Sequence, residues 1–152
     1  IERWQALRIG RVESVRGAMR TSAYTLAGCL DFAELCAVIE AADLLVSNNT
    51  APAHIAAALG TPVVDLYALT NPQHVPWRVP HRVLNHDVPC RYCYKSVCPV
   101  GHHDCLARVA PAEVADAARA LLDATFQPVR ATLSALPVAS SGRHASGPVQ
   151  AS

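Results

Sequence analysis

Lysine is almost missing: of 13 basic residues only Lys95 is a lysine, and the formal charge of +1 leaves the chain close to neutral. A nucleic-acid binder would carry clustered Lys and Arg and a high isoelectric point, so that class of partner is excluded. Long apolar runs are missing too. No stretch approaches the roughly 20 apolar residues that cross a bilayer. Nor does any segment combine the basic start, apolar middle and small-residue cleavage site of a secretory signal. A soluble, cytosolic protein is the expectation. Six cysteines are too few for a disulfide scaffold in 152 residues, and the cytosol would keep them reduced. Methionine occurs once, as Met19, and the first residue is Ile1; a fragment or a processed product is expected on that ground.

What is present suffices for one domain with a hydrophobic core, since 51% of the residues are apolar. From Ile1 to Arg20 the residues Trp4, Leu7, Val12, Val15 and Met19 recur at helical spacing between five arginines. This predicts an amphipathic helix with a solvated Arg face; a membrane-surface helix is the sharper alternative, weakened by Gly10 and Gly17. Tyr24 to Gly28 reads as a short strand-like piece ending in a turn. Asp31 then opens a helix to about Ala42, with Glu34 three residues on completing a capping-box pair. Phe32, Leu35, Cys36, Val38 and Ile39 give it a broad face for burial, and Cys29 and Cys36 are expected in the core.

Leu44 to Ser47 reads as a buried strand, and Asn48-Asn49-Thr50 as a turn. Pro52 stands where a first helical turn tolerates proline, Gly60 suits a left-handed cap, and Pro62 prevents resumption. Val63 to Tyr67 is a second buried strand. Strand, helix and strand joined by short loops form a βαβ unit, whose strands run parallel. The fold class is therefore α/β. Arg82 to Leu84 is a further candidate strand. Pro111, Glu113 and the apolar series Val114, Ala117, Ala118, Leu121 and Leu122 mark a last helix. The foldable part is read as residues 1–125, and the Ser, Gly, Pro, Ala and Val composition of 126–152 as a disordered tail.

The segment Ser47 to His54 is the most informative. It follows a parallel strand and opens a helix, the place where open α/β sheets bind ligands. The first amides of a helix have no internal partner and, with the dipole, attract anions. A diphosphate fits there. Thr50 can cap the helix or donate to a phosphate oxygen, small Ala51, Pro52 and Ala53 permit close approach, and His54 can hydrogen-bond a phosphate or a sugar hydroxyl. The bland alternatives are a simple Thr50 cap and a partly exposed His54.

The run from Asn48 through Ala56-Ala57-Ala58 to Pro62-Val63-Val64 resembles the donor-site signature of glycosyltransferase family 9, the lipopolysaccharide heptosyltransferases. The usual form is Asp, Thr or Ser, Gly, two residues, His, an Ala-rich helix, then Pro and a buried strand. Leu66 to Pro72 is similar to the family's strand and following Gly-Pro-Thr-Asp/Asn-Pro loop, and the likeness covers about Tyr24 to Leu122. It implies a Rossmann-like, carboxy-terminal part of a two-domain GT-B enzyme, with residues 1–125 as a partial nucleotide-sugar-binding domain. It further implies an ADP-heptose-like donor and a lipopolysaccharide-core acceptor held by an amino-terminal domain that this chain lacks, so that the chain alone is inactive. Work at the inner face of the inner membrane would follow. Thr50 and the amides from Ala51 onward would face the diphosphate, with Pro52 in the same turn and Asn49 and His54 near the sugar or its phosphates. No metal is implied for catalysis, and no catalytic residue is assigned. Asn49 stands where Asp is usual and Ala51 where Gly is usual; the amide can hydrogen-bond a hydroxyl but cannot act as a base.

Cys90-x2-Cys93-x4-Cys98-x6-Cys105, with His102 and His103 inside it, is a second constellation. Its first pair has zinc-knuckle spacing. A structural zinc ion is one reading; reduced buried thiols or a redox-labile pair are the others. The loop is similar in several family 9 members, which implies a subfamily trait. A zinc-stabilised binding module without catalysis, or a degenerate gene remnant, are the competing readings of the whole chain.

Overall fold

The structure, a computed structural model, describes residues 2–134. Helix α1 (Glu2–Ala18) is followed by α2 (Phe32–Ala41), β1 (Leu45–Asn48), α3 (Ala51–Leu59) and β2 (Val63–Leu66). A 3-10 turn at Pro72–His74, β3 (His81–Leu84), the short α4 (Asp104–Ala107) and α5 (Pro111–Ser134) complete the order. The strands form one parallel sheet in the order β1-β2-β3. Leu45 pairs with Val63 and Val63 with His81, so all three strands begin and end together. The carboxyl ends Asn48, Leu66 and Leu84 therefore share one edge.

The local chemistry explains the punctuation. Asp31 accepts from the Glu34 amide at 2.8 Å while the Glu34 carboxylate accepts from the Asp31 amide at 2.8 Å, the reciprocal box that starts α2. At the other end Thr61, itself buried, donates its hydroxyl to the Ile39 carbonyl at 2.9 Å, satisfying one of the orphan acceptors of α2. Gly60 ends α3 at φ 87, in the left-handed region. The core gathers Ile39 from α2, Ala53 and Ala56 from α3, Val63 from β2 and Val79. Burying a valine fully contributes about 1.5–3 kcal/mol. The alanines matter differently: with no side chain beyond Cβ, they let α3 lie close on β1 and β2. Helix α5 packs on β3 and β2.

Several expectations are corrected. Tyr24 to Gly28 forms no strand: Tyr24 is 96% exposed and the chain turns at Ala27–Cys29 instead. In α2 only Ile39 is buried, and Phe32 is 71% exposed, because α2 packs chiefly on α3. For the same reason Cys36 is half-buried and Cys29, in the preceding turn, exposed; neither is core. Helix α5 continues through Pro128 to Ser134, past the boundary expected after residue 125. The rest of the expected tail lies outside the described residues. A helix forms at α1, but not the amphipathic one expected: Val12, Val15 and Met19 are exposed. Nor is β1 the buried strand expected, since Val46 is exposed.

Candidate functional site

Helix α3 begins at the carboxyl edge of the sheet, two residues after β1 ends. Its N-cap residue Thr50 is extended (φ −143, ψ −175), but the hydroxyl makes no cap. It donates back to the Asn48 carbonyl at 3.2 Å. The Ala53 amide turns to the Thr50 carbonyl at 3.0 Å, and Pro52 has no amide hydrogen. The helix start therefore carries no side-chain cap, and Ala51, its first residue, is exposed. This is the arrangement in which a helix terminus attracts an anion.

Behind this turn lies a buried polar brace. The Asn49 side-chain amide donates to Asp65 Oδ2 at 2.7 Å and to the His74 carbonyl at 2.7 Å. One side chain thus ties the α3 start to β2 and to the 3-10 turn. Asp65 is wholly buried and its Oδ1 finds no partner among the described residues. Burial pushes the Asp65 carboxyl above the ordinary carboxylate range; the Asn49 bond and the charges of His54 and His81 pull the other way. Tyr67, buried just past β2, organises the next loop: its hydroxyl donates to the Asn71 carbonyl at 2.9 Å, accepts from the Asn71 amide at 2.9 Å and meets Thr70 Oγ1 at 3.1 Å. Beside the later part of α3, from His54 to the Gly60 cap, lies a cleft of 550 Å³ that Trp77 and Arg78 also line. Trp77 is 76% exposed, with the Arg78 guanidinium 5.4 Å from its ring centroid.

An open helix start beside the ends of parallel strands is a common phosphate site, so relatives decide between families. The model of glycosyltransferase family 9 (heptosyltransferase) matches residues 7–103. This chain belongs to glycosyltransferase family 9. It is 32% identical over 90 residues to lipooligosaccharide heptosyltransferase 2 of Campylobacter jejuni, covering 58% of this chain and 28% of that protein. To lipopolysaccharide heptosyltransferase 3 of Escherichia coli it is 41% identical over 66 residues, 43% of this chain and 19% of the relative. A crystal structure of a family 9 glycosyl transferase from Veillonella parvula superposes with a TM-score of 0.66 at 26% identity, covering 76% of this chain and 34% of that one. The chain thus spans less than a third of the length of the two relatives, and the fold is the Rossmann-like α/β arrangement of the family.

The site residues of this family 9 chain fall as follows. Asn49, Thr50, Ala51, Pro52 and His54 stand together in one turn at the sheet edge. Asn49 spends its amide hydrogens inside the protein, leaving only its Oδ1 for another partner. Ala51 is the first helical residue and has no positive φ, so the methyl group in place of the usual glycine brings no backbone strain. Asp65, Tyr67, Trp77 and Arg78 were not singled out from the sequence. A carboxylate inside the apolar run Val63 to Tyr67 is the signal that could have found Asp65.

The four cysteines Cys90, Cys93, Cys98 and Cys105 line a separate pocket of 140 Å³. The nearby backbone of His103, and of Val100, Gly101 and His102, favours the Cys98 thiolate and holds the thiol below the ordinary range. Burial, and the nearness of the Cys98 and Cys90 sulfurs, push Cys105 above it. Among the described residues no three of these side chains stand at coordinating distance from one point.

Proposed function

We propose that this chain is the donor-binding part of a glycosyltransferase that moves a sugar, heptose-like, from a nucleoside diphosphate to lipopolysaccharide core. The observation that carries the reading is the uncapped start of α3 at the carboxyl edge of the sheet, in a chain of family 9. The diphosphate would accept from the Ala51 amide and from the Thr50 hydroxyl, which would exchange its bond to the Asn48 carbonyl for the phosphate oxygen, with His54 at its flank. As the glycosidic bond to phosphate breaks, charge grows on the departing oxygen, and fixed amides with an aligned dipole stabilise that charge without reorganising. Asn49 holds this turn in register through Asp65 and His74. Because the donor phosphates and not a base are what this turn can serve, the acceptor and the proton-accepting group belong to a second domain outside this chain, as in a GT-B enzyme. An acceptor lipid would place the reaction at the cytoplasmic face of the inner membrane.

Calorimetric titration tests the reading. ADP and an ADP-sugar should bind saturably, adenosine should not, and His54→Ala should weaken ADP by about tenfold, the value of one charge-assisted hydrogen bond. The 152-residue polypeptide should bind donor yet transfer no sugar. Equal binding of ADP and adenosine would remove the diphosphate from the account, and heptose transfer by this chain alone would remove the second domain.

A further inference from the structure

We propose that the cleft beside the later part of α3 is a subsite for an anionic saccharide, whose ring packs on Trp77 and whose phosphate or carboxylate is held by Arg78. Trp77 and Arg78 are exposed between two buried residues, Pro76 and Val79, so the pair is presented to solvent from an anchored piece of backbone. Folding usually covers most of a tryptophan; this one is left bare at the mouth of a cleft. An indole offers a flat, electron-rich face against which the C–H bonds of a sugar ring pack. The Arg78 guanidinium stands 5.4 Å from that ring. Among the described residues no carboxylate lies within ion-pair distance of Arg78. The cleft is lined by His54 and by no acidic residue, so the charge facing it is positive or neutral. A planar guanidinium meets a phosphate or carboxylate with paired hydrogen bonds. Ala57, Ala58 and Gly60, which α3 contributes, are small, and the 550 Å³ they help to leave open falls in the range of ligand sites.

Which saccharide lies there follows from the place of the cleft, and this step rests on the proposed function. Thr50 opens α3 at the carboxyl edge of the sheet, where the donor diphosphate is placed. Gly60 closes the helix three residues before Val63, where β2 begins beside the start of β3. From His54 to Gly60 the helix advances about 9 Å, at 1.5 Å per residue. A saccharide in the later part of the cleft therefore lies beyond the first turn of α3, away from the bond that breaks. It belongs to a non-reacting part of the acceptor. Holding such remote parts is how a transferase turns binding energy into rate. His54, which stands in the first turn and also lines the cleft, marks the side on which donor and acceptor meet.

Heteronuclear NMR of the labelled chain tests this, with glucose 6-phosphate and glucuronate as probes and glucose as the neutral control. The chain has two tryptophans, and Trp4→Phe assigns the Trp77 indole signal. Both anions should move that signal and the amides of Ala57, Ala58 and Gly60 saturably. Glucose should bind at least about tenfold more weakly, the worth of one charge-assisted hydrogen bond. Arg78→Asn should remove the preference for the anions; asparagine suits the left-handed φ of 58 at that position. Trp77→Ala should abolish the saturable shifts of the three amides. ADP affinity should be unchanged in both variants, and saturating ADP should leave the sugar phosphate bound. The proposal is overturned by the absence of shifts with both anions, by equal affinity for glucose, or by binding that survives in Trp77→Ala. Displacement of the sugar phosphate by ADP overturns it as well, because the cleft then belongs to the donor. If the anions bind as expected while ADP leaves the Ala51 amide unmoved, the donor reading fails and the acceptor assignment with it, while the saccharide site stands.

Discussion

The Asn49 amide nitrogen lies 2.7 Å from Asp65 Oδ2, so that a wholly buried carboxylate on β2 holds the turn from which α3 springs. The same nitrogen reaches the His74 carbonyl at 2.7 Å. A neutral amide does here what a carboxylate could not, for two like charges side by side would repel and a carboxylate has no hydrogen to give. The residue that departs from the usual family pattern is thus matched to its neighbour.

Asp65 makes stability depend on pH. Its folded pKa is raised above the ordinary 3.8 chiefly by burial. Between the two values the folded state keeps a proton that the unfolded chain has released, so stability falls as pH rises through that window and levels off above it. Asp65→Asn removes the titration while keeping an acceptor for Asn49. Urea midpoints measured from acid to neutral pH should show the variant gaining on the wild type as pH rises. Asp65→Ala, which strands the Asn49 donor, should lose about 1–3 kcal/mol against Asp65→Asn at every pH, since neither variant titrates there.

Ala51→Asp separates folding from binding. A carboxylate in the first turn favours the helix by about 0.3–1 kcal/mol, yet it occupies and repels from the place proposed for the diphosphate. Thermal unfolding should show no loss of stability, while ADP affinity falls at least about tenfold, an energy of about 1.4 kcal/mol. Ala51→Gly should leave affinity unchanged, because Ala51 has no positive φ to relieve.

Gly60→Ala measures backbone strain alone. The site has φ 87, and an added Cβ would meet nothing within 4 Å. The whole loss, about 1–2 kcal/mol for a left-handed alanine, should appear in the denaturation midpoint without a change in ADP binding.

The α3 unit was legible in the sequence because its boundaries are written in adjacent residues. Thr50, Pro52, Gly60 and Pro62 each act through their own dihedrals or a missing amide hydrogen. The Asp31–Glu34 box was legible for the same reason, its partners being three residues apart. Asn49 reads in the sequence as a ligand residue; its bond to His74 spans 25 positions, and no local pattern announces such a pairing. Nor did apolar spacing in Phe32 to Ile39 show that α2 would rest on α3 and leave Phe32 outside. Spacing tells which residues share a face, and only the tertiary arrangement tells what covers it.

Tyr67→Phe tests the loop after β2. It removes one hydroxyl that serves Thr70 and both backbone groups of Asn71. Stability should drop by about 1–3 kcal/mol, since buried partners are left unpaired, and amide hydrogen exchange should rise locally at Asn71.

The most direct measurement is a titration of the isotope-labelled chain with ADP, following backbone amides by heteronuclear NMR. The Ala51 amide, together with those of Thr50, Ala53 and His54, should move saturably, and the same concentrations of adenosine should leave them in place. If ADP shifts only amides remote from the start of α3, or none at all, the donor phosphates do not sit there and the proposed function fails.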